Sequence, residues 1–234
     1  MPNDLVTYTL EDTTAVVRMD DGKANALSQP MIEGLLDALT RAEKEAGAMI
    51  LVGRQGRFSA GFDLKVMMSG PEAATALLER GADLLMRLYG AKLPLVIACT
   101  GHALAGGALM VLTGDTRVGA SGDFRIGLNE VSIGMPVPVL AMELARDRLL
   151  PTELGRATLQ AQIYGPEDAQ RAGYLDVVVP ADELFARAKQ EATRLGALAR
   201  PAFQATKTRL RGKTIAHILA TFEEDTRSLL SGAG

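Results

Sequence analysis

Glu130 closes the apolar run IGLNE (126–130), and two glycine-bearing stretches earlier in the chain could supply what a lone carboxylate lacks. One is GHALAGGALM (101–110), apolar except for His102 and leading into a helical pattern; the other is the small-residue turn RFSAGFDL (57–64). A glycine turn entering a helix presents backbone N–H groups and the positive end of the helix dipole to an anion. A phosphate-binding loop would need Lys and Ser or Thr after the second glycine, but Gly107 and Ala108 follow Gly106, and no G-x-G-x-x-G is present. The smaller anion that suits the same geometry is the oxygen of a carbonyl turning into an enolate. Two donors are then needed. Gly106, with no Cβ, can offer one, and Phe62, following Gly61 in SAGF, the other. Taken alone, Ala-Gly-Gly reads first as a device that lets a helix pack closely on a strand.

Composition narrows the setting. The chain has 234 residues, 47% of them hydrophobic and 23% charged, as in a globular protein. Twenty-five basic against 28 acidic residues give a net charge of −3, with no basic run and 4% aromatics, which argues against a nucleic-acid partner. The single cysteine, Cys99, forms no internal disulfide, the N-terminus lacks the pattern of a signal peptide, and the cytoplasm is the expected location. Leu93 to Gly114 carries no charge and is long enough to cross a bilayer. Pro94, His102 and four glycines divide it, however, into a β-rich piece and a small-residue helix, the pattern of a buried α/β core.

The elements that must position these residues repeat as strand, strand, helix. LVTYTLE and AVVRMD read as a hairpin; Ser28 caps a helix with Pro30 in its first turn and an apolar stripe from Met31 to Leu39. AMILVG is a strand, a helix runs from Pro71 to Gly90, and LVIAC is a strand before the glycine segment and its helix. DTRVGA and DFRIGL follow as short strands, PVLAMELARDRL as a helix, and GPEDAQRAGYLDVVVP as a short helix ended by Gly173 before a strand. From Ala181 the chain reads as helical, interrupted at Gly196 to Pro201 and at Gly212.

FSAGFDL, GHALAGGALMVLTGD, FRIGLNEVSIGM and AQRAGYLDVVVP, in that order and spacing over residues 1 to about 210, resemble the signature blocks of the crotonase, or enoyl-CoA hydratase and isomerase, superfamily. The resemblance implies an α/β superhelix of ββα turns over 1–180 that holds a coenzyme A thioester, and a helical region over 181–234 used for trimerisation. The thioester oxygen would be held by the N–H groups of Phe62 and Gly106, in agreement with the reading of the turns. Lys23, Ala24, Ala60 and Lys65 match positions where relatives touch coenzyme A, although the two lysines suit a solvated surface as well. Coenzyme A is then part of the substrate, no separate cofactor is implied, and no His or Cys pair has metal-ligand spacing. The expected assembly is a homotrimer or a dimer of trimers, with Ile215, Ile218, Leu219 and Phe222 as an apolar interface.

Typical hydratases resemble one another in having two glutamates, one three residues after the oxyanion glycine. Here that position is Leu109, which transfers no proton and lines the substrate site, and Glu130 alone remains. The string around Glu130 is most similar to mitochondrial-type isomerases of 3-enoyl-CoA to 2-enoyl-CoA, and one mobile proton needs one shuttle. A hydratase with its second acid elsewhere, and an acyl-CoA-binding homologue without catalysis, are the alternatives. His102 reads as a packed histidine at a strand end, Asp176 as structural, and Met67, Met68, Met86 and Met135 as core filler or the lining of a pliable acyl pocket.

Overall fold

A computed structural model describes residues 5–231. The chain opens with the antiparallel hairpin β1 (Val6–Glu11) and β2 (Thr14–Met19), followed by α1 (Gln29–Glu45), capped by the Ser28 hydroxyl, which accepts from Met31 N at 3.4 Å. Two full turns of strand, strand, helix follow. The first is β3 (Ala48–Val52), β4 (Gly56–Ser59), the short α2 (Leu64–Met67) and α3 (Pro71–Tyr89). The second is β5 (Leu95–Cys99), β6 (Gly101–Leu104) and α4 (Gly106–Thr113). A third begins with β7 (Thr116–Ala120) and β8 (Ile126–Gly127), passes a 3₁₀ turn at Val131–Ile133, and continues into α5 (Val139–Arg148), α6 (Pro151–Thr158) and α7 (Pro166–Ala172). The chain then forms β9 (Val177–Val179), α8 (Leu184–Gly196) and α9 (Arg200–Ser231).

In each turn the first strand joins one sheet and the second another. The larger sheet has the order β1-β2-β3-β5-β7-β9, parallel from β2 onward; the smaller, wholly parallel, is β4-β6-β8. The apolar runs AMILV and LVIAC are continuous because these central strands are buried on both faces. Alternation assigns the faces: Ile50, Val96 and Val118 meet Ala188 and Leu195 of α8, while Met49, Leu51 and Ile97 face the main core with α1, α3 and α4. The charge-free stretch Leu93 to Gly114 is therefore β5, β6 and α4 inside this core, and no helix among the described residues is long and apolar enough to cross a membrane.

The structure corrects the sequence expectations in four places. Gly212 does not break the last helix, since α9 runs through it and continuing hydrogen bonds outweigh the roughly 1 kcal/mol cost of one helical glycine. The strand expected in DFRIGL is confined to Ile126–Gly127, and α6 lies where the sequence pattern announces no helix. The apolar face of α9 is turned inward rather than left free: Ile218 is 1% exposed, Ile215 and Phe222 pack on the core, and only Leu219 of that set points to solvent.

That inward face starts with a buried ionic cluster. Asp115, just past the C-terminus of α4, accepts from Lys207 Nζ at 2.6 Å and from Leu95 N at 2.8 Å, and pairs with Arg211 at 3.1 Å. Arg211 also donates to the carbonyls of Tyr89 and Thr113, tying α9 to the ends of α3 and α4. Removing one member strands the others' charges out of water. Asp115→Ala is expected to cost about 3–5 kcal/mol of unfolding free energy, measured by urea denaturation against wild type.

Candidate functional site

The smaller sheet decides which residues meet. Its three strands are parallel, so their C-terminal ends lie side by side, about 4.8 Å from strand to strand. β4 runs into the turn Ala60–Phe62, the central β6 into Ala105 and Gly106, and β8 into Leu128 and Glu130. Pairing of Ala103 with Ile126 and Leu104 with Gly127, continued by Ala105 N donating to Gly127 O at 3.0 Å, fixes β8 beside β6.

The two glycine turns touch. Gly61 has φ +89°, and a Cβ there would stand 3.0 Å from Gly106 N. Leu27 N donates to Gly61 O at 2.8 Å and Asp63 N to Leu27 O at 3.3 Å, leaving the Phe62 N–H between them directed away from that bridge. Among the described residues no protein acceptor takes the Phe62 N–H or the Gly106 N–H, the latter being at the first residue of α4. The Phe62 ring is wedged against Gly81 of α3, where a Cβ would come within 2.1 Å of it. Ala105, before Gly106, has φ +47° and ψ −122°, a strained conformation for a residue with a side chain, of order 1–3 kcal/mol. The start of α4 lies beside the Gly61 turn, and α4 approaches β4 so closely that a Cβ on Gly107 would lie 2.1 Å from Ser59 O.

Glu130 is only 6% exposed, and its Oε2 is buried without a hydrogen-bond partner among the described residues. Burial holds its carboxyl above the ordinary glutamate range. This has a thermodynamic sign. Between the ordinary and the raised value the native state keeps a proton that the unfolded chain has lost, so stability falls as pH rises through that window. Glu130→Gln is therefore expected to melt higher than wild type at pH 8, with the difference vanishing as the pH is taken below the ordinary glutamate range, where both states are protonated. The gain is about 2–4 °C for each kcal/mol recovered, and thermal scans across that range measure it.

The structure gathers the sequence-derived residues into two groups. Leu109 is 4% exposed and, with Phe62, lines a small apolar cavity of about 40 Å³ against α3, α5 and α9. Lys23, Ala24 and Ala60 line an open groove of about 410 Å³ on the other side of the glycine turns, together with Arg57, His102 and Arg125. That groove has three cations and no carboxylate in its lining. Lys65 is not part of it; it is exposed on α2, where Asp63 caps the helix by accepting its N–H. Arg57 and Arg125 escaped the sequence reading, although each lies on or just before a strand that leads into the site. His102 sits on β6, where Nδ1 accepts from Arg125 N at 3.0 Å and the ring meets Phe124 edge-on. Burial, with Arg57 adding to it, lowers its pKa below the ordinary histidine value, which suits this acceptor role. Asp176 is structural: it forms a bidentate pair with Arg117, whose hydrogen bonds overcome the upward push of burial and hold its pKa low. None of the four methionines singled out lines the small cavity; Met68 is 84% exposed and Met86 is in the core.

Comparison with known proteins bears on the chemistry. The family model for enoyl-CoA hydratase/isomerase matches residues 9–231. An enoyl-CoA hydratase/isomerase family protein from Pseudomonas syringae is 40% identical, with a TM-score of 0.95 over 98% of this chain and 100% of that one. An enoyl-CoA hydratase from Mycobacterium ulcerans is 38% identical at a TM-score of 0.91, covering 98% and 100% of the two chains. The human mitochondrial Δ3-Δ2-enoyl-CoA isomerase is 28% identical at a TM-score of 0.94, covering 99% and 92%.

Proposed function

This chain belongs to the enoyl-CoA hydratase/isomerase family, and from that premise we propose that it isomerises 3-enoyl-CoA to 2-enoyl-CoA with Glu130 as the only proton shuttle. The observation that carries this reading is the pairing of one buried, uncompensated carboxylate with an apolar Leu109 where a second acid would stand.

The thioester oxygen lies between the Phe62 and Gly106 N–H groups. Each such donor contributes on the order of 3 kcal/mol where negative charge develops. Glu130 removes a proton from C2; the electrons of that C–H bond flow toward the thioester oxygen, giving a dienolate. The same carboxylic acid then delivers the proton to C4, the double bond settles between C2 and C3, and Glu130 is again ionised. No water enters the product. A buried carboxylate without a cationic partner is a stronger base than an exposed one, because burial destabilises its charged form. Lys23, Arg57 and Arg125 offer positive charge to the phosphates of coenzyme A.

The second reading, a hydratase, is favoured by the similarity to the Mycobacterium ulcerans protein. Parallel assays of 3-hexenoyl-CoA and 2-hexenoyl-CoA separate the two: isomerisation predicts conversion of the first to the conjugated thioester, with slow hydration of the second. Consumption of 2-hexenoyl-CoA alone overturns it. Leu109→Glu is expected to gain hydration of 2-hexenoyl-CoA by at least about tenfold while losing isomerisation, because it restores a second proton-transfer group.

A further inference from the structure

We propose that Phe222 and Thr226 of α9 form a wall that restricts the substrate to short acyl chains; this deepens the reading of the site as one for enoyl thioesters and rests on it. The apolar cavity beside Phe62 and Leu109 measures about 40 Å³, room for no more than a few waters, and Phe222 and Thr226 close one side of it. The same two residues bound an open groove of about 490 Å³ between α3 and α9, whose remaining lining includes Thr75, Glu79 and Arg227. One residue pair thus lies between a small apolar chamber and a larger, more open groove.

The wall is braced. Near the start of α9, Lys207 and Arg211 are locked to Asp115, and near its end Asp225, the neighbour of Thr226, accepts from Val139 N at 2.7 Å. Phe222 packs between these anchors against the main core. A few methylene groups fill the chamber; a longer chain must displace the phenyl ring before its remaining carbons reach the groove.

The test uses wild type, Phe222→Ala and the milder Phe222→Leu, which keeps an apolar side chain should the alanine variant fold poorly. Turnover of 3-hexenoyl-CoA and 3-dodecenoyl-CoA is measured beside calorimetric binding of the unreactive hexanoyl-CoA and dodecanoyl-CoA. Wild type should favour the six-carbon thioester by about tenfold or more in kcat/KM. Phe222→Ala should raise the twelve-carbon value by a similar factor and lower the six-carbon value a few-fold, with Phe222→Leu between and the binding ratios following. Equal use of both lengths by wild type, or an unchanged ratio in both variants, overturns the wall. If binding switches with length but neither enoyl thioester is isomerised, the wall stands and the isomerase reading falls. If isomerisation proceeds without length dependence, the reverse holds; if no thioester binds, both fall.

Discussion

Glu130→Gln should lower the isomerisation kcat by about 10²–10⁴-fold, the range that a positioned general acid–base group supplies, while thioester binding changes little. Glutamine keeps the shape and the hydrogen-bonding capacity of the side chain but carries no proton between C2 and C4. Both halves of the reaction should be lost together, since Leu109, at the position where the resemblance to hydratases puts a second acid, transfers no proton. A variant retaining more than about a tenth of wild-type turnover would place the base elsewhere. The wild-type pH profile carries the same information. Glu130 must be ionised to accept a proton, so kcat/KM should fall with acidification through a value above the ordinary glutamate range, where burial holds it. The ionisation that switches activity on is the one that costs stability, which is why the glutamine variant is expected to be both inactive and hardier.

The second large effect is expected from Gly61→Ala. At φ +89° an alanine is strained by about 1–2 kcal/mol, and its Cβ would press to 3.0 Å from both Gly106 N and Leu104 O. Either turn must give way, and the convergence proposed for the Phe62 and Gly106 N–H groups is then lost. Loss of one such donor costs about 10²–10³-fold in kcat. Gly56→Ala is the control: Gly56 also has positive φ, at +75°, but an added Cβ meets nothing within 4 Å. It should show a similar loss of unfolding free energy with kcat within about twofold of wild type. Steady-state kinetics beside urea denaturation of the two variants separates strain from catalysis; equal kcat in both would remove the paired-donor account.

The local elements were largely legible because their signals are local. Ser28 and Pro30 announce α1, Gly173 with φ +97° ends α7, and the uninterrupted apolar runs of β3 and β5 state that both faces are covered. Glu130, Gly61 and Gly106 were singled out by residue type, since a carboxylate ending an apolar run and glycines leading into a helix are unusual chemistry for a core. The order of the four motif blocks pointed to the family, and the similarity to solved structures agrees with it. Tertiary structure decided the rest. Register in the small parallel sheet brings together three strand ends, at Ser59, Leu104 and Gly127, that lie far apart in sequence, and no periodicity within one segment encodes which strand lies beside which. Arg57 and Arg125 gain meaning only from that pairing. The apolar stripe of α9 fitted a subunit interface as well as an inward face. The tertiary packing buries Ile218 and sets Ile215 and Phe222 on the core, and it brings Lys207 and Arg211 to Asp115, because charges removed from water need partners.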